Sequence, residues 1–301
     1  MATSYVHRGH CAGAIVGPCS RWLAPSSSLR ACRPSGHNRD LYRAQFSSLR
    51  CHQHTLSRRH SRQQQMRVCA GWGAEVEWSR GTVVETSKAA EGLVRVMVDI
   101  GQLAKGYTKG GQYLQLKVGD SKPGYFAIAS APAPEQPIEL LIKNQGSTAE
   151  ILCDSQPGDV VDVSPVMGKG FPLDRAAPEQ APYLFIFATG TGISPIKAII
   201  ESGELQADKR KLVRLYYGTF NPDSTAYRDL LPEWESTGIK VTNVYSGYGD
   251  GYVQNVFEKD GGITDGEQTA VILCGQKEMA EALTAMVQEK GVKTEFILTN
   301  F

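Results

Sequence analysis

Between Val94 and Ile100 the chain alternates: Val94, Val96, Val98 and Ile100 are apolar, with Arg95, Met97 and Asp99 between them. Leu114, Leu116 and Val118 alternate with Gln115 and Lys117, and Ile138, Leu140 and Ile142 alternate with Glu139 and Leu141. Successive side chains of a strand point to opposite faces. Period-two runs broken by Gly and Pro therefore predict short strands from Trp78 to about Val166, arranged as an antiparallel barrel or sandwich. Ser147 to Leu152 predicts a short helix, and Gln156-Pro157-Gly158-Asp159 a turn.

After the polar stretch from Asp174 to Gln180 the pattern changes. Leu184-Phe185-Ile186-Phe187 is continuously apolar, as in a strand buried on both faces. A glycine-rich turn follows, then a helical spacing of Ile196, Ile199 and Ile200. Val213 to Tyr217, Ile239 to Val244 and Ala270 to Cys274 predict further strands, interleaved with helical stretches of which Lys277 to Glu289 is the last. Glu295-Phe296-Ile297-Leu298 predicts a terminal strand. Buried strands alternating with helices predict a parallel, doubly wound α/β sheet. The expected organisation is thus a leader over 1–69, a β-barrel domain over 70–176 and an α/β domain over 181–301.

Charge separates the leader from the rest. Residues 1–69 hold eleven Arg, no Lys and one acidic residue, Asp40, about +10 in all. The remaining residues carry 21 Lys and Arg against 30 Asp and Glu, about −9. An Arg-, Ser- and His-rich stretch without acid or hydrophobic period buries no core, and it has the composition of a disordered organelle transit peptide. The small residues around Arg67-Val68-Cys69-Ala70 resemble a stromal processing site. The expected address is the chloroplast stroma, with the mitochondrion second; the other reading is a basic tail that binds RNA or anionic lipid. No apolar run approaches the roughly 20 residues of a transmembrane segment.

Residue usage excludes several chemistries. All six His lie at or before His60, and five of the seven Cys lie in the leader, leaving Cys153 and Cys274. Without His or clustered Cys beyond residue 69, neither a His-based triad nor a metal or iron–sulfur site is expected there. The chemistry then falls to a bound cofactor.

Ala188-Thr189-Gly190-Thr191-Gly192-Ile193-Ser194-Pro195 follows directly on the buried strand. Its glycines allow a tight turn and the close approach of a phosphate to helix-opening N–H groups, and Pro195 suits a helix start. The string resembles the nicotinamide-nucleotide loop of the ferredoxin–NADP reductase superfamily. Other stretches resemble that family in the same order. Gly124-Tyr125-Phe126-Ala127-Ile128-Ala129-Ser130 stands where the family has its flavin strand, Arg-x-Tyr-Ser and then Ile-Ala-Ser. Leu141-Ile142-Lys143 resembles the next strand, Gly146-Ser147-Thr148 the opening of the pyrophosphate helix, and Pro157-Gly158-Asp159 the family turn. Tyr252-Val253-Gln254 resembles the segment near the adenosine, and Cys274-Gly275 the pair bordering the nicotinamide. The terminal Phe301 resembles the aromatic residue that covers the isoalloxazine.

The resemblance implies an FAD-dependent NAD(P)H oxidoreductase, with FAD in the barrel and the nucleotide in the α/β domain. Hydride would pass between nicotinamide and flavin, and electrons onward to an unidentified acceptor, with ferredoxin or another electron-transfer protein among the candidates. No nucleic-acid partner is implied. Cys274, Ser130 and Phe301 would line the reacting centre. The flavin would be held by Tyr125 to Ser130, Leu141, Ile142, Lys143, Gly146, Ser147 and Thr148. The nucleotide would be held by Thr189, Gly190, Thr191, Gly192, Ser246, Tyr252, Gln254 and Gly275. The chain departs from the family pattern at Gly124, Phe126 and Ala127, where Arg, Tyr and Ser are usual. That departure is closer to the FNR-like chloroplast flavoproteins of plants and algae than to photosynthetic ferredoxin–NADP reductase. A plastid address points to NADPH, whereas Ser246-Gly247 and Thr219-Phe220-Asn221 offer no cation to a 2′-phosphate, so NADH stays open. The second functional reading is a flavin- or nucleotide-binding regulatory or assembly subunit with little turnover. A third, an electron-transfer subunit of the dihydroorotate dehydrogenase or hydrogenase kind, would bring a Cys array near the C-terminus, where this chain has Cys274.

Overall fold

The computed structural model describes residues 76–300. The leader and Phe301 lie outside them. Six strands form an antiparallel sheet: β1 (Ser79–Ala90), β2 (Leu93–Asp99), β3 (Tyr113–Lys117), β4 (Gly124–Ala127), β5 (Ile138–Lys143) and β6 (Val160–Val163), in the order β4-β3-β6-β1-β2-β5. The two outer strands meet at a bridge between Ile128 and Leu140, backed by the Ala129 N–H donating to the Glu139 carbonyl at 2.7 Å. The sheet is thereby closed into a barrel, which leaves few unpaired edges. Helix α1 (Ser147–Cys153) follows β5. The barrel interior is the predicted apolar set: Val96, Val98, Leu114, Leu116, Ile138, Leu140 and Ile142 are all buried.

The second half is a parallel sheet of β7 (Tyr183–Thr189), β8 (Leu212–Thr219), β9 (Ile239–Tyr245), β10 (Thr269–Cys274) and β11 (Ile297–Leu298), in the order β11-β10-β7-β8-β9. Its crossovers carry α2 (Ile193–Glu201), α3 (Leu231–Ser236), α4 (Val253–Lys259) and α5 (Lys277–Glu289). Strand order runs outward from β7 to β9, then returns to β10 on the other side of β7. Right-handed crossovers in opposite directions place α2 and α3 on one face and α4 and α5 on the other. The reversal leaves a crevice at the C-terminal ends of β7 and β10, where such sheets bind ligands. No described helix is long and apolar enough to cross a membrane.

The structure differs from the sequence pattern at two points. Glu295 and Phe296 do not extend the last strand: Thr294–Phe296 is a one-turn 3-10 helix, and only Ile297 and Leu298 pair with Val271 and Ile272 of β10. After α5 the chain must turn back toward the β10 edge, and that turn buries the Phe296 ring. In β5, Glu139 and Leu141 are buried as well as the alternate residues. Leu141 belongs to the core of the α/β half, because the outer face of β5 packs against that half.

Candidate active site

Strands β4 and β5, the opening of α1 and the start of α2 enclose a cleft of about 430 Å³. Its walls include Gly124, Tyr125, Phe126, Ala127, Leu141 and Ile142, with Lys122 and Lys143 at the polar end beside Gly146, Ser147 and Thr148. Thr191 and Ser194 close it from the α/β half. An apolar and aromatic wall suits a planar ring, and two lysines beside a helix opening with no acidic lining residue suit a pyrophosphate. Ser194 is buried to 1% exposure, and its Oγ has no hydrogen-bond partner among the described residues. A buried hydroxyl without a partner costs free energy, which a polar ligand in the cleft would recover.

Thr148 lines the cleft but its hydroxyl is already engaged, donating to the Lys122 carbonyl and accepting from the Ser121 hydroxyl at 2.7 Å. It ties α1 to the loop before β4. Ile128 and Ala129 are fully buried, and their N–H groups donate to the carbonyls of Gln112 and Glu139. Ser130 Oγ accepts the Glu139 N–H at 3.0 Å, and its carbonyl accepts the Tyr107 hydroxyl at 2.6 Å.

The glycine-rich loop forms a one-turn 3-10 helix, Gly190–Gly192, running into α2. Two close approaches require glycine here. A Cβ on Gly192 would lie 2.4 Å from the Cys274 carbonyl oxygen, and one on Gly275 would lie 2.1 Å from Thr189 Oγ1. The loops after β7 and β10 therefore touch backbone to backbone. Thr189 Oγ1 accepts the Gln276 N–H at 3.0 Å, which locks the crevice floor.

Cys274 sits at the end of β10, with its thiol pushed up to about 12 by burial. It stays a protonated thiol at neutral pH and points its weak donor at Asn300 Oδ1, 4.0 Å away. Asn300 Nδ2 donates to the Gly111 carbonyl of the barrel at 3.1 Å. The penultimate residue thus joins the nucleotide crevice to the barrel. Sequence reasoning passed over Asn300 in favour of Phe301, which lies outside the described residues. An amide so close to the end of the chain carries no periodic signal.

A buried ionic cluster also joins the two halves. Glu139 Oε2 receives Arg95 Nε at 3.2 Å and Lys197 Nζ at 3.3 Å, and Lys197 reaches Glu201 of its own helix at 2.7 Å. Tyr227 holds a left-handed backbone at φ 60°. Its hydroxyl faces Glu139 without closing a hydrogen bond of good geometry, and burial, then that carboxylate, pushes its pKa up. Lys197 lies one turn into α2, so the cluster ties the helix behind the glycine loop to the strand that forms the cleft wall.

The model of the oxidoreductase NAD-binding domain matches residues 186–285. The fruit protein pKIWI502 of Actinidia deliciosa is 36% identical over 230 residues, which cover 70% of this chain and 72% of that protein. The chain carries the NAD-binding domain of the FNR-like oxidoreductase family and shares a family with that fruit protein. Solved structures share the two-domain fold of this FNR-like chain. The Amycolatopsis cytochrome P450 reductase GcoB aligns with a TM-score of 0.63 at 21% identity, over 75% of this chain and 70% of that one. A ferredoxin NADP+ reductase from Neisseria gonorrhoeae with bound FAD and NADP aligns at 0.60 and 17% identity, over 72% and 93%.

Within this FNR-like framework the structure gathers Tyr125, Phe126, Ala127, Leu141, Ile142, Lys143, Gly146, Ser147, Thr148 and Thr191 around one cleft. It places Thr189, Gly190, Gly192, Cys274 and Gly275 at the adjoining crevice of β7 and β10. Ser246, Tyr252 and Gln254 lie farther along, beyond the end of β9; Ser246 Oγ donates to the Thr219 carbonyl at 3.4 Å, and Gln254 Oε1 is buried without a partner among the described residues.

Proposed function

We propose that this FNR-like chain is an FAD-dependent NAD(P)H oxidoreductase that transfers hydride between nicotinamide and flavin and passes electrons to a separate acceptor. The observation that carries the reading is the junction itself. A cleft with an aromatic wall, two lysines and the unpartnered Ser194 hydroxyl opens where the glycine loop of the α/β half faces the barrel. FAD bound there supplies hydride acceptance and the release of electrons singly or in pairs.

The residues divide the remaining work. Lys122 and Lys143 neutralise the pyrophosphate, and the amides at the opening of α1 orient it. Phe126 and Ala127 pack the ring and exclude water from one face. Gly190, Thr191 and Gly192 present backbone N–H groups to the nucleotide phosphates. Cys274, held neutral by burial, gives an uncharged floor beside the nicotinamide and makes no nucleophile. The Asn300 bridge to Gly111 keeps that floor in register with the barrel.

The test is anaerobic addition of NADH or NADPH to the flavin-loaded protein. Bleaching of the flavin within seconds is the expected result. Flavin that stays oxidised with both nucleotides would give the molecule to the second reading, a binding subunit with little turnover.

A further inference from the structure

The ends of β8 and β9 carry an uncovered aromatic patch. Phe220 is 66% exposed, Tyr248 71% and Tyr252 63%, while the other rings of the α/β half are largely packed in its core. All three stand at the C-terminal end of the sheet, on the path that leads from the glycine loop after β7 across β8 to β9. Gly218, near the end of β8, stands on that path in a close-packed position, where a Cβ would already press on Val253 and Thr189. Exposed rings in that place suit the purine end of a nucleotide.

Cations are few at the same place: the first after Phe220 in sequence, Arg228, donates to the Pro222 carbonyl, two residues beyond Phe220, at 3.3 Å. Between Val241 and Glu258 there is no Lys or Arg, and none between Gly218 and Tyr227. At position 247 the backbone makes this exclusion structural. The Gly247 N–H donates to the Phe220 carbonyl at 2.8 Å, and a Cβ there would lie 2.6 Å from that oxygen and 3.0 Å from the Phe220 ring. A basic side chain at 247 cannot be added without opening the loop. Asp250, four residues beyond Ser246, folds back so that its Oδ2 accepts the Tyr245 N–H at 2.9 Å. The turn through Gly249 and Gly251, both at positive φ, brings the carboxylate back to the end of β9.

We propose that Phe220, Gly247 and Asp250 select a nucleotide with a free ribose 2′-hydroxyl, NAD(H), against its 2′-phosphorylated counterpart, NADP(H). A carboxylate accepts a hydrogen bond from a ribose hydroxyl and repels a phosphate in the same place, the general division between the two dinucleotide classes. This rests on the nucleotide site proposed above and adds its specificity.

The experiment is calorimetric titration of the full chain with NAD+, NADP+, 5′-AMP and adenosine 2′,5′-bisphosphate, which needs no turnover. NAD+ and 5′-AMP should bind at least about tenfold more tightly than the 2′-phosphorylated partners. The ratio should shrink as salt is raised, since an exposed carboxylate is screened. Asp250→Asn keeps an oxygen for the Tyr245 N–H, so the loop holds its shape, and should narrow the ratio by about fivefold. Asp250→Arg should invert it. NADP+ binding as tightly as NAD+ to the unaltered chain overturns the specificity while leaving the nucleotide site standing, and so does a ratio indifferent to both variants. Failure of all four nucleotides to bind overturns the site and the specificity together.

Discussion

Gly124 and Phe126 stand two apart on β4 and so share one face of the strand. The Phe126 ring lies back over Gly124, so a Cβ at 124 would sit 2.8 Å from the ring edge. Two of the three departures from the family pattern are therefore one adjustment: a ring occupies the space that an arginine stem would use. The absence of Arg was legible in the sequence; its coupling to Phe126 was not, because it depends on a rotamer. The flexible ring can swing aside, and an arginine there would add a bidentate cation to a wall that already holds Lys122 and Lys143. Gly124→Arg should tighten FAD by about tenfold, the worth of one charge-assisted hydrogen bond. Fluorescence titration of the stripped protein reads this directly, and flavin binding no tighter than in the parent would show that the cleft has no room for the guanidinium.

Among elements, β5 and α2 bear the junction. Both were readable from local pattern, β5 by its period of two and α2 by Ile196, Ile199 and Ile200. Their mutual packing was not. Glu139 occupies an alternate position that a one-faced strand would give to water, and Lys197 sits among the apolar residues of α2, yet both are 5% exposed. Periodicity reports one face of one element, and only the docking of the two halves decides whether the other face is buried as well. Charges this deep are costly unless paired, so removing one partner should hurt more than removing a surface charge. Lys197→Met should cost about 3 kcal/mol in a denaturant melt, because Glu139 keeps only Arg95. Glu139→Gln in the same chain should restore a good part of that loss through the coupling of neighbouring sites. A single-variant loss below roughly 0.5 kcal/mol, the range of an ordinary surface change, would show that water or Arg95 satisfies Glu139 unaided.

Over the whole molecule, the division into a period-two half and a strand–helix half was readable from sequence, because each half repeats one local grammar across many residues. Contacts between the halves, made by Asn300, Glu139 and Lys197, come from residues far apart in the chain and leave no local trace. Several long-range ties within each half are proton donors. The Tyr107 hydroxyl donates to the Ser130 carbonyl beside the cleft, Tyr217 to the Gly190 carbonyl of the glycine loop at 3.4 Å, and Tyr216 to Asp260 at 3.1 Å. Burial raises all three phenols above their ordinary value of 10.0, and Tyr227 with them; it raises Cys274 from 9.0 to about 12 and Cys153 to about 11. The sign of the consequence follows from which state keeps its protons. The folded chain holds them to higher pH than the unfolded chain, so the stability they contribute is complete below the unfolded values. It is lost progressively as pH rises through 9.0 and 10.0 toward the folded values. The melting temperature should therefore be nearly level from about pH 7 to pH 9 and fall with increasing slope above about pH 10. Tyrosinate absorbance from the buried set should appear together with the loss of circular dichroism, since a phenolate cannot donate to Ser130 or Gly190 and burial of Tyr107 and Tyr217 withholds its solvation. Removing one tie should flatten the curve: Tyr107→Phe takes away a group whose ionisation favours the unfolded chain, so it should lower stability at neutral pH and narrow that deficit above pH 10. A deficit constant across the whole range would mean that Tyr107 titrates freely in the folded molecule, and that the hydroxyl does not couple the barrel to pH.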